Sequence, residues 1–331
     1  MLLELVLKNK MSDWRNQAWS GVFPATLCPF HDDESIDEEG LKQYIDEVSS
    51  VEGINGVVCN GHTGEIMSLR PHERDRVTAV VRSAVDAVNA RDNRDVRTVT
   101  GVSAEGSHEA IDHAKAARDA GADAILLMPP HHWLRFGRSA ETAVGFIRDV
   151  AEGAGVPMII HQYPAWTKAG YTLSEMLEMV TIPEVMMIKM GTRDMSRWLF
   201  DYQQLKASVP HVSIVTCHDE FLLPTLLEGA DGALIGFAGF VPELMVRTVH
   251  AALDGDLPGA REARETVAPL ARLIYNFGEP GCGAHQRMKV ARWLMGSFPS
   301  PRFRRPVRPL SEAGIQGIRD QLRAIDYPVV R

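Results

Sequence analysis

No apolar run in the chain reaches the about 18 residues that a membrane-spanning helix needs. The leading Leu2-Leu3-Glu4-Leu5-Val6-Leu7 is short and broken by a glutamate, so neither a span nor a secretory leader is expected. Cysteine is scarce, with four in 331 residues at positions 28, 59, 217 and 282. That spacing offers no zinc site and no disulfide framework, so free thiols and a cytoplasmic setting are expected. An excess of basic residues is also missing: 35 Lys and Arg stand against 43 Asp and Glu, a net charge of −8. Nucleic acid and anionic membrane are therefore excluded as expected partners. The one local basic cluster, Arg302-Phe303-Arg304-Arg305, reads as a solvated or interface segment. No GxGxxG or GxxxxGK(S/T) follows a candidate strand, so no nucleotide cradle and no cofactor are expected.

The chain is 45% hydrophobic and 24% charged, enough to bury a large core. Short apolar runs at 21–29, 56–61, 97–103, 124–129, 157–163, 185–191, 212–217 and 232–237 alternate with amphipathic helical stretches. Alternation of this kind builds a parallel sheet with crossover helices, and eight such units predict a closed (β/α)8 TIM barrel. Helical stretches at 259–275, 284–296 and 311–325 follow, with a Pro-rich link at 299–309. The expected division is an N-terminal extension at 1–18, the barrel at 19–255 and a C-terminal helical appendage at 256–331, with Met11 an alternative start.

A barrel of this kind carries its site at the C-terminal ends of the strands. There the most informative residue is Lys189, a lone cation ending the apolar segment Val185-Met186-Met187-Ile188-Lys189. Burial lowers an amine's pKa, so such a lysine can attack a carbonyl carbon and form a Schiff base. A strand-end lysine whose head reaches water is the competing reading. Other strand ends supply His31, the turn Gly61-His62-Thr63-Gly64-Glu65, His131-His132, His161-Gln162-Tyr163-Pro164 and Cys217-His218-Asp219. Glycines flanking His62-Thr63 suit a turn whose N–H groups face a carboxylate or oxyanion. Glu65 is expected to tie that turn through backbone hydrogen bonds, and His31, His132 and His218 to be rim or loop residues.

Taken in order, Gly21-Val22-Phe23-Pro24-Ala25-Thr26, Gly61-His62-Thr63-Gly64-Glu65, Ile188-Lys189 and Gly232-Ala233-Leu234-Ile235-Gly236 resemble the dihydrodipicolinate synthase and N-acetylneuraminate lyase family of Schiff-base aldolases. The resemblance runs over about residues 20–325. It implies that Lys189 condenses with a 2-oxo group, that Gly61, His62 and Thr63 cradle the adjacent carboxylate, and that Ile235 lines the pocket. It also implies a homo-oligomer, dimer or tetramer. The loop Pro130 to Phe136 supports that expectation, since His131, His132, Trp133 and Phe136 are unusually apolar and aromatic for an exposed loop.

The departures from the family pattern bear on the reaction. The family's Tyr-Asn-x-Pro reads His161-Gln162-Tyr163-Pro164 here, so the relay tyrosine position is His161. A histidine can shuttle protons near neutral pH, and Tyr163, which shares its strand parity, is the second candidate. Trp166 stands where synthases that take a dicarboxylic aldehyde carry an arginine. Pro130 and His131 replace an aromatic pair, and His62 replaces a threonine. The resulting expectation is a lyase acting on a small-molecule 2-oxo acid, either a pyruvate-type aldolase or a dehydratase of a 2-oxo-3-deoxy sugar acid. Dihydrodipicolinate synthase proper, a metal-dependent barrel built on the strand-end histidines, and a non-catalytic ligand-binding barrel are the alternatives.

Overall fold

The β-branched runs become strands, and every neighbouring pair in the sheet is parallel. In this computed structural model, which describes residues 19–164, 167–275 and 283–331, the strands are β1 (Gly21–Pro24), β2 (Gly56–Cys59), β3 (Arg97–Val102), β4 (Ala124–Leu127), β5 (Met158–Gln162), β6 (Val185–Met190), β7 (Ser213–Thr216) and β8 (Gly232–Ile235). They run in the order β1-β8-β7-β6-β5-β4-β3-β2. Parallel bridges Val22↔Ile54 and Ala25↔Val58 bring the two ends of the sheet together, so the sheet is a (β/α)8 barrel. Expected segment 1–18, Trp166 and Cys282 lie outside the described residues.

Strand side chains alternate between the two faces of a sheet, and here both faces are buried. Phe23, Val58, Val99, Leu126, Ile159, Met187, Val215 and Leu234, one from each strand, form a cluster inside the barrel. Their neighbours of opposite parity, such as Val22, Ile125, Ile160, Ile188 and Ile235, belong to the larger cluster beneath the helices. This is why the strands read as continuous apolar runs rather than alternating ones. The ladders stop before the apolar runs do. After β4, Met128 still donates to the Val102 carbonyl, and then Pro129 and Pro130 offer no N–H. The overhanging residues form the mouth of the barrel.

Between strands run α1 (Glu38–Ser50), α2 (Pro71–Asp92), α3 (Ser107–Asp119), α4 (His132–Phe136), α5 (Ala140–Ala154), α6 (Leu173–Met179), α7 (Met195–Ser208) and α8 (Leu222–Leu227). Asp37, Ser139, Thr172 and Asp194 each accept an N–H of the first turn of their helix, satisfying donors that the helix itself leaves open. The stretch expected as an exposed aromatic loop is instead the short helix α4. Its Trp133 is 3% exposed and packs edge-on against Phe146 at 5.8 Å, while Phe136 remains 73% exposed. After β8 come α9 (Phe237–Phe240) and α10 (Pro242–Leu253). No helix among the described residues is long and apolar enough to cross a membrane.

The C-terminal helical extension consists of α11 (Leu257–Tyr275), α12 (Ala284–Leu294) and α13 (Glu312–Ala324). Helix α12 turns its cations inward. Lys289, fully buried, donates to the Cys28 carbonyl at 2.7 Å, to the Arg302 carbonyl at 2.9 Å and to the Glu65 carboxylate. Its ammonium also lies 4.1 Å from the centroid of Phe303 and 4.8 Å from that of Phe30. Arg292 reaches the Phe240 carbonyl at 2.6 Å and Glu47 at 2.7 Å. Removing one member of a buried ion pair leaves the other charge uncompensated, at a cost of about 3–5 kcal/mol. Lys289→Met is therefore expected to lower unfolding free energy in urea by that amount, and Lys289→Met with Glu65→Gln to recover part of it. A loss for the single variant no larger than that of an exposed substitution would remove this assignment.

Candidate active site at the barrel mouth

Lys189 has the same parity as Met187, so its side chain enters the barrel two residues above the interior cluster. In the β5–β6 ladder it stands opposite His161, which has the parity of Ile159. Two adjacent strands thus deliver an amine and an imidazole to the same layer. Burial, followed by the Lys189 charge and then His62, pushes the His161 ring well below the ordinary imidazole range. Burial likewise lowers the Lys189 amine, opposed by Cys217 and Asp219.

The turn after β2 is held from behind. Asn60, in the left-handed region at φ 52°, donates its amide to the Arg74 carbonyl at 2.9 Å and to Thr100 Oγ1 at 2.8 Å. Its own carbonyl lies so close to Gly101 that a Cβ there would sit 2.0 Å from the oxygen, so β3 must carry glycine at that point. Within the turn, the N–H groups of Gly64, Glu65 and Ile66 bond to the carbonyls of Gly61 and His62. Among the described residues, the His62 and Thr63 N–H groups stand outside that set. The Glu65 carboxylate accepts the Arg304 backbone N–H at 3.1 Å and also the Lys289 ammonium, and so binds the turn to the C-terminal extension.

Tyr163 is the hub of the mouth. Its hydroxyl lies 2.9 Å from His62 Nε2 and 3.3 Å from His131 Nε2, and its ring is 4.8 Å from that of His161, edge-on. A phenol has one proton and free lone pairs, so it can donate to one imidazole while accepting from the other. His62, Tyr163 and His131 therefore form a continuous chain. Burial raises the Tyr163 phenol, which stays protonated. Burial first, then Lys189, His285 and His131, lower the His62 ring to about 3. His161 Nδ1 is buried and has no hydrogen-bond partner among the described residues. The His62 and His161 rings are neutral at pH 7, and His161 is not poised near neutrality as its residue type suggests.

One expected residue does not join this group. Ile235 has the parity of the helix-facing cluster and is 1% exposed there, while Leu234 is the residue of β8 that faces inward. Its proposed place in the pocket wall is corrected on that ground. His132 instead pairs with Glu105 at 2.8 Å, His31 sits 3.9 Å from Asp37, and His218 contacts the Thr192 carbonyl at 2.7 Å. Among the described residues, no group of three or more His, Cys, Asp or Glu side chains could hold a metal ion.

Two groups at the mouth were not anticipated, and both come from the C-terminal extension. His285, in the first turn of α12, is lowered to about 4 by burial and by Lys189. Tyr275, the last residue of α11, donates to the Asp219 carboxylate. A signal for the first was present, since His285, Lys289 and Arg292 are four and three residues apart and share one face of α12. Polar residues on the buried face of a helix have partners inside.

With this geometry in place, the sequence profile of the dihydrodipicolinate synthetase family matches residues 18–325. The chain is 32% identical over 303 residues to a 4-hydroxy-tetrahydrodipicolinate synthase of Methanothrix thermoacetophila, covering 91% of this chain and 95% of that protein. It is 26% identical over 306 residues to an N-acetylneuraminate lyase of Rhizobium meliloti, covering 92% and 95%. In fold it is similar to YagE, a prophage protein of E. coli K12 solved in complex with pyruvate, with a TM-score of 0.83, 24% identity and coverage of 93% and 98%. The chain belongs to the dihydrodipicolinate synthetase family, and that membership supports a lyase.

Proposed function

We propose that the protein is a Schiff-base-forming lyase acting on a 2-oxo acid. The observation that carries this reading is Lys189, an inward-facing amine of lowered pKa on β6, opposite His161 and beside the His62–Tyr163–His131 chain. The neutral amine attacks C2 of the acid and, with the uptake of one proton from solvent, water leaves, giving an iminium on Lys189. The His62 and Thr63 N–H groups suit the adjacent carboxylate. The iminium nitrogen takes up the electron pair when C3 loses a proton. The resulting enamine either adds to an aldehyde, as in an aldolase, or expels a hydroxyl from the neighbouring carbon, as in a dehydratase. Against dihydrodipicolinate synthase proper stands Trp166 at the arginine position. Of the arginines that follow β4 and β6, Arg138 and Arg193 are tied to Glu175 and Glu220, and Arg135 lies over the exposed Phe136 ring.

Borohydride added with pyruvate or a larger 2-oxo acid is expected to leave a reduced adduct on Lys189, found by mass spectrometry, and Lys189→Ala to abolish both adduct and turnover. A folded, active Lys189→Ala protein would overturn the imine mechanism.

Of the two relay candidates, the hydrogen-bond chain favours Tyr163, because its hydroxyl alone links the two half-buried imidazoles of His62 and His131. Tyr163→Phe is expected to keep reductive trapping at Lys189 while lowering turnover by about 10² to 10⁴, the usual range for loss of a general acid or base. His161→Phe should cost less. The reverse order, with His161→Phe the damaging change, would assign the relay to His161.

The exposed Phe136 and Leu134 on α4, 73% and 42% accessible, support a homo-oligomeric assembly, dimer or tetramer. Light scattering at micromolar concentration is expected to give a multiple of the 36.6 kDa chain mass, and a single species at that mass would remove this part of the reading.

A further inference from the structure

A reaction through Lys189 passes through a cationic iminium, and the amine that attacks is itself in equilibrium with its ammonium. Its surroundings oppose both. His62, His161, His218 and His285 all feel the Lys189 charge, and burial holds each ring below its ordinary range. The groups that favour the cation are Cys217 and Asp219. Burial keeps the Cys217 thiol protonated, so the negative charge available to Lys189 is that of Asp219.

Asp219 is built into position. It is 4% exposed and accepts the Phe237 N–H at 3.0 Å and the Tyr275 hydroxyl. It follows β7, the strand that pairs with β6 through Lys189↔Val215. Gly236 follows β8 and caps α9, and a Cβ built there would meet Asp219 Oδ2 at 3.3 Å and Met288 Cε at 3.2 Å. The carboxylate therefore packs against the C-terminal end of β8, in space that glycine leaves open. Tyr275 comes from α11, with its ring 5.8 Å from Phe237. Glu220, the nearest like charge, is engaged by Arg193.

We propose that Asp219, held by the Tyr275 hydroxyl and the Phe237 N–H, is a positioning residue whose carboxylate is the fixed counter-charge for the cationic forms of Lys189, and that the C-terminal extension thereby completes the site. The proposal rests on the lysine-imine reading for its role in turnover. Its electrostatic content can be measured without any 2-oxo acid.

Burial raises the Asp219 carboxyl to about 6, opposed by Tyr275, Phe237 and Lys189 and reinforced by Glu220. It is therefore ionised at neutral pH, and the counter-charge is lost as pH falls through that value. Two variants read this out in the full-length protein. In Asp219→Asn, the pH midpoint for acylation of Lys189 by acetic anhydride, followed by peptide mass spectrometry, is expected to fall by about one unit, which corresponds to about tenfold less cation. Borohydride trapping of pyruvate at pH 7 is expected to fall by a similar factor. In Tyr275→Phe the carboxylate remains but loses a donor, so the acid limb of trapping should move to higher pH. If Asp219→Asn does not fold, that limb decides the question. Acylation and trapping profiles superimposable on the parent's in the folded variants would overturn the proposal. Failure of the parent to trap any 2-oxo acid would instead overturn the imine reading, and the acylation midpoints would still decide whether Asp219 is the counter-charge.

Discussion

The ion pair between Lys289 and Glu65 is the contact on which the arrangement of the mouth depends. A buried ammonium is tolerated only when hydrogen-bonded and paired. Lys289 has two carbonyls, a carboxylate and two aromatic faces. One of its partners, Glu65, ends the turn that presents His62 and Thr63, and Glu65 is itself held in the left-handed region at φ 59°. The extension and the turn are thus fixed to each other through one carboxylate. The same helix that supplies Lys289 carries His285 to the mouth, and the helix before it ends in Tyr275. Tyr275, His285 and Lys289 thus bring the extension to the mouth that Lys189 enters, although none of them is adjacent to it in sequence.

Strand parity explains which residues meet and which do not. His161 and Tyr163 differ by two positions and so point the same way, as do Met187 and Lys189. The substitution of His161 at the position where relatives carry a tyrosine therefore does not remove a phenol from the site, because Tyr163 supplies one from the same face of the same chain segment. Its hydroxyl reaches two imidazoles. Ile235 fails by the same rule: one step along β8 from Leu234, it belongs to the helices.

The barrel was legible because its strands are buried on both sides and interrupted by amphipathic helices, a pattern that eight repeats make unambiguous. Lys189 was legible because a charge in an apolar strand is costly and so asks for a reason. The strand ends were overextended, since an apolar run continues into the mouth after the ladder has lost its donors at Pro129 and Pro130. The roles of His285 and Tyr275 were not legible from strand ends, because they are long-range products of how the extension docks. The protonation states were hidden for a related reason. Residue type places an imidazole near neutrality, but burial beside Lys189 lowers His62 to about 3, and sequence position carries no measure of desolvation.

Those protonation states also account for how so many imidazoles can share a mouth with an amine. Were His62, His161 and His285 charged, each would add a like charge beside Lys189 in a poorly solvated space, and the lysine would be driven still further toward its neutral form. Neutral rings remove that repulsion, and they retain both a donor and an acceptor. What they cannot supply is negative charge. A site that relies on an iminium and is lined by neutral rings needs a carboxylate placed where solvent cannot screen it. The one that meets this requirement, Asp219, lies between the barrel and the extension and is held by a residue from each.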